Sequence, residues 1–264
     1  MRLYSFWTED GKLYEGLEDH LNLTFNVFVM MFERRTLKVL ASRLKRKVDD
    51  DFIFVVRLAP LMHDVGKAHD SYQKNVGMRK PSFSWHEVLS AQVCWNVMEA
   101  FRYTSHIPPR EFESLKRTVA AAIVSHHQAM REVKRAFPPK WVKLDLWNFN
   151  PLHPLILMLL NRASEELQLN VDHHKIVNLA LSELKEDIRI SRGSLGMLRD
   201  RIFDNIKRPP KPYSILTGTL VLCDWLSAGK TRPSKYKPPM LKEAEHAFPE
   251  IAMYLHRLPL NWTS

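Results

Sequence analysis

The chain has 264 residues, of which 45% are hydrophobic, so it can form one large domain with a sizeable core and is not a disordered protein. Lysine and arginine outnumber aspartate and glutamate by 39 to 29, and the net charge of +10 favours a polyanionic partner. Glycine occurs only 8 times and apolar residues recur at helical spacing, so we expect a mostly α-helical fold.

Neither a membrane span nor a disulfide framework is expected. The apolar run 154–160 is far shorter than the roughly 20 residues that a transmembrane helix needs. The N-terminal segment MRLYSFWTEDGKLYEG has no signal-peptide pattern. Cys94 and Cys223 lie in apolar helical stretches and are expected to be small buried residues in a reducing compartment. We therefore expect a soluble, cytoplasmic protein without a membrane partner.

The first elements are a short β-hairpin and two helices. RLYSFW and KLYEG flank the turn dipeptide Asp10-Gly11, which predicts the hairpin. A long amphipathic helix with a basic distal half is expected over about 17–47. The next helix is an apolar run, 52–62, that contains one charge and ends before Gly66.

The rest of the chain predicts further helices separated by polar and basic loops. Residues 67–84 are polar and basic, and KNVGMRKPS at 74–82 within them is expected to form a loop. Further helices are expected at about 85–103, 109–127, 151–168, 172–190, 193–206 and 213–228. No repeat or domain boundary is visible, so we expect a single domain over 1–264, with its core at about 13–229 and a basic, proline-broken tail at 230–264.

The sequence LMHDVGK places His63 and Asp64 at the end of the most apolar helix. An unpaired charge in such surroundings costs several kcal/mol, so buried ionisable groups usually have partners or hold a metal. Other histidines and an aspartate lie in comparable places, at helix ends or on apolar faces. The full set of candidate metal ligands is His20, His63, Asp64, His86, His126, His127 and Asp224.

This set of residue types is suited to metal-assisted phosphate chemistry. Imidazole selects transition metals, and carboxylate oxygens also accept magnesium or manganese. A carboxylate has two oxygens and can bridge two cations, whereas its histidine neighbour serves only one. Two metals about 3.5–4 Å apart can clamp the attacking and leaving oxygens of a phosphate displacement. The His63-Asp64 pair therefore predicts the bridge of a two-metal site.

Each candidate also has a purely structural explanation. A single histidine such as His20 is more often a hydrogen-bonded core residue than a ligand. The pair His126-His127 could simply end a helix, where the dipole favours it, and Asp224 could pair with an arginine. The occurrence of all of them in one chain, in this order, favours the metal site.

The ordered set of His20, His63-Asp64 and Asp224 resembles the signature of the HD superfamily of metal-dependent phosphohydrolases. The segments LEDHL, HDVGKAHDSYQK, HEVLSA, SHH and CDWLSA are similar to the CRISPR-associated HD nuclease, over about residues 13–229. No GxxxxGK[ST] motif occurs, so the chain resembles the standalone HD subunit (the double-prime form) of type I systems, whose helicase is a separate chain.

The resemblance implies an HD helical bundle with two divalent metal ions, either manganese, magnesium or another transition metal such as nickel or cobalt. It implies that one ion is held by His20, His63, Asp64 and Asp224. It implies that Asp64 also reaches the second ion, held with His86, His126 and His127. Lys67 would stabilise the scissile phosphate, and Ser227 would contact a phosphate.

The implied activity is cleavage of single-stranded DNA, or also RNA, during CRISPR interference in antiviral defence. The implied partners are single-stranded DNA, a separate helicase subunit and the type I surveillance complex. Basic segments at 34–47, 131–143, 207–213 and 230–237 fit such a substrate. They include Trp141, Tyr213 and Tyr236, on which bases could stack at about 1–3 kcal/mol each.

Two other functions compete. An HD phosphohydrolase of nucleotides or other small phosphate esters would need only His20, His63-Asp64 and Asp224, and cyclic-dinucleotide enzymes would carry a GYP segment where this chain has HHQAMREVKRAF. A nucleic-acid-binding scaffold with a vestigial metal site is the third hypothesis, and the intact ligand set argues against it.

Overall fold

The computed structural model describes residues 2–8, 12–77, 83, 85–127, 150–184 and 211–232, and this part of the chain is mostly helical. Two short antiparallel strands, β1 (Tyr4–Trp7) and β2 (Tyr14–Gly16), form the predicted N-terminal hairpin. The turn at Asp10-Gly11 lies outside the described residues. The prediction of a mostly α-helical protein with a short hairpin is confirmed.

The helices follow in chain order, connected by short turns in the described ranges. They are α1 (Leu17–Val27), α2 (Glu33–Leu44), α3 (Asp50–Met62), α4 (Asp70–Gln73), α5 (His86–Arg102), α6 (Pro109–Ser125), α7 (Leu152–Ala163), α8 (His173–Ser182) and α9 (Lys211–Thr231). None of the helices in these ranges is long and apolar enough to cross a membrane.

The long helix expected over 17–47 is divided by a π-helical turn, Phe28–Phe32, which joins α1 to α2. The second part ends at Leu44 because Lys45 adopts a left-handed backbone conformation, with φ of 55°. Its amphipathic pattern agrees with the structure, since Leu37 and Leu40 are buried and Lys38 is exposed.

Helix α3 lies at the centre of the bundle and packs against α1, α5, α6 and α7. The side chain of Asp49 caps its first turn by accepting a hydrogen bond from the backbone N–H of Phe52 at 2.8 Å. This capping fixes where the helix begins. The ring of Phe54 lies 4.5 Å, centroid to centroid, from that of Phe101 on α5. The apolar surroundings of α3 extend to its last turn, so the residues that follow it emerge inside the protein.

One expected helix end differs from the structure, and one short helix was not expected. Helix α7 ends at Ala163 and not at 168, because the guanidinium of Arg57 on α3 donates to the carbonyls of Ala163 and Glu165 at 3.2 and 2.8 Å. The polar segment 67–84 contains the short helix α4, whose first turn donates a backbone N–H to Nδ1 of His69. Residues 74–77, which follow α4, form turns, as expected for the start of the loop at 74–82.

The other expected helices agree closely within the described ranges. Helix α5 covers all but the outermost residues of 85–103, α6 ends two residues early, and α9 extends past 213–228 at both ends. The expectation for 172–190 holds as far as Ser182. The helix expected at 193–206 and the tail from 233 onward lie outside the described residues.

Candidate metal centre

Most of the candidate ligands lie at helix ends that meet on one side of the bundle, and one lies in the middle of α9. His20 lies in the first turn of α1, His63-Asp64 directly follows α3, His86 begins α5, and His126-His127 directly follows α6. Asp224 lies within α9. All of them are buried apart from His127, whose side chain is 16% exposed. The structure therefore brings together every residue of the predicted ligand set.

A close contact between the turn after α3 and helix α5 positions the His63-Asp64 pair. The backbone N–H of Gly66 donates to Oγ of Ser90 at 2.8 Å. A Cβ atom at position 66 would lie only 2.3 Å from the carbonyl oxygen of His86. Glycine therefore allows the turn to lie directly against the start of α5, which places Asp64 beside His86.

The first cluster consists of His20, His63, Asp64 and Asp224, with one ligand atom of each lying within 4.8 Å of the others. Nε2 of His20 lies 3.3 Å from Oδ2 of Asp64 and 3.2 Å from Oδ1 of Asp224. Nε2 of His63 lies 3.6 and 3.7 Å from the same two oxygens. Two imidazole nitrogens and two carboxylate oxygens thus converge on one point.

The second cluster consists of Asp64, His86, His126 and His127. Nε2 of His86 lies 2.8 Å from Oδ1 of Asp64, while those of His126 and His127 lie 3.6 and 4.0 Å from it. Asp64 belongs to both clusters and directs Oδ2 to the first and Oδ1 to the second. This is the geometry that a carboxylate needs to bridge two cations.

Backbone carbonyls orient three of the imidazole rings. Nδ1 of His63, His86 and His126 faces the carbonyl oxygen of the residue three positions earlier in each case. A carbonyl only accepts hydrogen bonds, so Nδ1 carries the proton and the lone pair of Nε2 points into the clusters. This arrangement prepares a neutral histidine for metal coordination.

The carboxylates of the clusters are ionised. Burial alone would raise the pKa of Asp64, but Lys67, His63 and His86 outweigh that effect and hold the pKa well below its usual range. Burial would likewise raise the pKa of Asp224, but the interactions of this carboxylate with His20 and His63 outweigh burial and hold its pKa well below the usual range. Two buried anionic groups side by side require nearby positive charge.

Burial lowers the pKa of His127, which favours the neutral imidazole that a metal ligand requires. Desolvation, together with repulsion by His126 and His86, holds the pKa of His127 well below its usual value. His127 is therefore neutral near pH 7. A neutral imidazole is the form that coordinates a metal ion.

Several buried ligand atoms have no hydrogen bond within the described residues. They are Nε2 of His20, Nε2 of His63 and Nε2 of His126. Leaving a buried polar atom without a hydrogen bond costs about 1–3 kcal/mol. These atoms all face the two clusters, so the residues present fit divalent cations well.

The other two residues expected to act at the site also lie beside it. Nζ of Lys67 is 2.5 Å from Oδ2 of Asp64 and 5.0 Å from the centroid of the Phe83 ring. Ser227 is fully buried, donates to the carbonyl of Asp224 at 2.8 Å, and lies 2.8 Å from Oγ1 of Thr24. A phosphate contact by Ser227 would have to replace these bonds, and that role stays a prediction.

The sequence-based reasoning missed Glu15. This carboxylate on β2 is 2% exposed and lies 3.5 Å from Nδ1 of His20. It accepts hydrogen bonds from Ser5 at 2.6 Å and from Arg232 at 2.9 Å. The only signal in the sequence is its position directly before the helix that carries His20.

Several of the residues expected to bind nucleic acid lie in segments that the structure does not describe. Trp141, Tyr236 and the basic segment 131–143 fall outside the described residues, as do most of 207–213 and 230–237.

A helical bundle that joins histidines and aspartates from successive helices in this order is characteristic of HD-type metal-dependent hydrolases. The comparison with protein families agrees, since residues 7–231 match the family described as Cas3, HD domain. The match covers most of the chain, and the chain belongs to this family. Membership confirms the resemblance to the CRISPR-associated HD nuclease and implies that the protein binds divalent metal and acts in a CRISPR system. The comparison with curated proteins found no match.

Proposed function

We propose that the protein is a two-metal nuclease that cleaves single-stranded DNA in CRISPR interference. It acts with a separate helicase subunit and the type I surveillance complex in the cytoplasm. The observation that carries this proposal is the position of Asp64, which presents one oxygen to each of two ligand clusters. A site for two neighbouring cations suits the displacement of a phosphodiester oxygen.

The residues around the clusters define what the chain itself contributes. His20, His63 and Asp224 would hold the first ion, and His86 with the pair His126-His127 would hold the second, with Asp64 shared by both. When bound, the ions would activate water and neutralise the charge that develops on the phosphate. The histidine-rich donor set favours manganese, nickel or cobalt over calcium, and magnesium is the oxygen-preferring alternative.

Lys67 would provide positive charge that does not come from a metal. The residue is 6% exposed, and its ammonium group lies next to the first cluster, where the phosphate would enter. A charge held in place in a buried site stabilises developing negative charge more strongly than the same charge in water. His127 is more exposed than the other ligands, and we place the approach of the substrate on its side of the site.

A polyanionic substrate is supported by the exposed face of α2. The cations on this face and just after it are Arg34, Arg35, Lys38, Arg43, Lys45 and Lys47, all of them exposed. None of these six forms an ion pair with a carboxylate in the part of the chain that the structure describes. Helix α2 packs against α9, which carries Asp224, and Thr36 lies 3.4 Å from Thr219 at their contact. The basic face therefore belongs to a helix that packs against one of the ligand-bearing helices.

The second cluster favours the nuclease over a hydrolase of small phosphate esters. Such a hydrolase needs one metal, and the first cluster alone would serve it. His86, His126 and His127 would then converge on Asp64 without a function. The intact ligand set equally disfavours a nucleic-acid-binding scaffold with a vestigial site. We also propose that the residues form one domain, since the described helices share a continuous apolar core.

The proposal is tested by nuclease assays on metal-free protein to which single ions are added back. We expect cleavage of single-stranded DNA to stop in chelator and to return with manganese, and to return far less with calcium. Calcium is the matched control because it has the same charge but prefers six to eight oxygen ligands. Parallel assays use duplex DNA, RNA and a small chromogenic phosphodiester. Equal activity with and without chelator would contradict the metal site, and a preference for the small ester would favour the competing hydrolase.

A further inference from the structure

Three cluster histidines direct Nδ1 to a backbone carbonyl, whereas Nδ1 of His20 faces a side-chain carboxylate. His63, His86 and His126 each direct Nδ1 to the backbone carbonyl three residues earlier. One of the three, His86, also has a carboxylate oxygen, Oε2 of Glu87, 3.5 Å from its Nδ1. Nδ1 of His20 instead faces Oε1 of Glu15 at 3.5 Å, and both groups are buried. The orientation of this one ring therefore depends on a carboxylate from the N-terminal hairpin.

Glu15 is itself held in place from three directions. Ser5 on β1 donates to Oε2 at 2.6 Å, and Arg232 donates to the same oxygen at 2.9 Å. Thr231, the last residue of α9, donates to Oε1. The bonds from Arg232 and Thr231 tie the hairpin to the end of the helix that carries Asp224. A carboxylate anchored in this way cannot rotate away from His20 without breaking several bonds.

We propose that Glu15 is a positioning residue that fixes His20 for coordination at the first cluster. Glu15 lies at ion-pair distance from Nδ1 of His20, without a hydrogen bond between the two, so it acts on the ring through its charge. A negative carboxylate beside Nδ1 favours the tautomer that has its proton there and leaves the lone pair of Nε2 directed toward Asp64 and Asp224. Glu15 makes no contact with the second cluster in the described residues. Its effect is therefore specific to the first of the two metal positions.

This inference rests on the proposal that His20 binds metal, and it predicts a difference between the two positions. Partners of metal-bound histidines typically contribute 10- to 100-fold in metal affinity. We expect Glu15→Ala to weaken manganese binding at the first position by about 10- to 100-fold and to leave the second position unchanged. Glu15→Gln keeps an acceptor oxygen without the charge and is expected to give an intermediate loss.

The experiment titrates manganese into metal-free protein by calorimetry and locates the ions by anomalous scattering in crystals. Glu18→Ala is the matched control, because Glu18 is an exposed carboxylate in the first turn of α1, the helix that carries His20. A second readout is the imidazole N–H proton resonance of His20 in zinc-loaded protein. We expect this resonance to lie far downfield in the wild type and to move upfield in Glu15→Ala but not in Glu18→Ala.

The outcomes separate the positioning role from a structural one. Equal loss at both metal positions in Glu15→Gln, together with a lower thermal unfolding temperature, would mean that Glu15 only holds the hairpin to the bundle, and would overturn the inference. Unchanged affinity and resonance in both Glu15 variants would also overturn it, while leaving the nuclease proposal intact. A wild-type protein that binds two ions but cuts no DNA would contradict the proposed function. The positioning role of Glu15 would still be tested by comparing manganese affinity at the two metal positions in Glu15→Ala.

Discussion

Nζ of Lys67 lies 2.5 Å from Oδ2 of Asp64, the oxygen that faces the first ligand cluster. The lysine ammonium is thus held beside the carboxylate that joins the two clusters, and both groups are buried. The interaction is one reason why the pKa of Asp64 lies well below its usual range, although burial opposes the shift. A cation in this position can act on a phosphate that binds over the clusters without occupying a metal position itself.

Replacing Lys67 by alanine is expected to separate binding from chemistry. Loss of one preorganised charge partner in an active site costs about 10²–10³ in turnover, so we expect Lys67→Ala to slow single-turnover DNA cleavage by about that factor. Metal content, measured by elemental analysis, should remain at the wild-type level. Lys175→Ala on the exposed face of α8 is the control and should change neither quantity. Loss of metal from Lys67→Ala would show that the lysine has a structural role.

Asp64 and His86 should differ in how many metal positions they affect. Asp64→Ala removes oxygens from both clusters, so we expect ion occupancy to fall at both positions and cleavage to be abolished. His86→Ala removes a ligand of the second cluster only and should empty mainly that position. Anomalous scattering from manganese-soaked crystals measures each occupancy separately. Two fully occupied positions in Asp64→Ala would contradict the bridging role.

Much of the site could be predicted because its residues contrast with their neighbours in the sequence. His63 and Asp64 end a helix of apolar residues, and Asp224 lies in an otherwise nearly uncharged run, so the contrast alone marks each of them as a candidate ligand. Glu15 shows no such contrast, because other charged residues lie close to it in the sequence, at Lys12, Glu18 and Asp19, and its partners are distant. Arg232 lies 217 positions away, and only the folded chain brings the two together.

The ends of helices were harder to predict than the helices themselves, because contacts between residues that are distant in the sequence decide some of them. The apolar period of α7 continues past its actual end, and local sequence alone favours a helix to about residue 168. Arg57 from α3 donates to the carbonyls at that end, and Glu166 then adopts a left-handed conformation with φ of 65°. A contact between distant segments therefore decides where this helix stops.

Gly66 should be the most sensitive glycine near the site. A Cβ atom there would approach the backbone N of Ser90 and the carbonyl oxygen of His86 to 2.8 and 2.3 Å, distances that force the backbone to shift. We expect Gly66→Ala to lower the free energy of unfolding by about 1–3 kcal/mol, as overpacking does elsewhere. Because the shift would move Asp64 away from His86, metal affinity should fall as well.

Gly218 provides a matched control for this substitution. It is exposed within α9, and a Cβ atom there would meet no other atom within 4 Å. Gly218→Ala should therefore stabilise the helix by about 0.5–1 kcal/mol and leave the metal affinity unchanged. Thermal unfolding of both variants measures the difference, at about 2–4 °C per kcal/mol for a protein of this size. A Gly66→Ala variant as stable as the wild type would contradict the close contact between the turn and α5.

The nature of the substrate is tested by measuring how binding depends on salt concentration and how cleavage depends on oligonucleotide length. Binding along a nucleic-acid backbone releases counterions, so the logarithm of affinity should fall linearly with the logarithm of salt concentration, with a slope of about −0.7 per phosphate neutralised on a single strand. We expect the combined change of Arg34, Arg35 and Lys38 to glutamine to reduce that slope and to weaken binding to all sequences alike. Manganese affinity should not change, because these residues lie outside both clusters.

The matched control neutralises a cation that already has partners. Arg46 pairs with Asp49 and Glu111 at 2.7 and 3.1 Å, so Arg46→Gln should leave the salt slope nearly unchanged. Cleavage rates are then measured against oligonucleotide length at two salt concentrations. A nuclease that tracks the backbone should cut long strands faster, and the advantage should shrink at high salt as the charges are screened. A rate that depends on neither length nor salt would replace the nuclease assignment with that of a hydrolase of small phosphate esters.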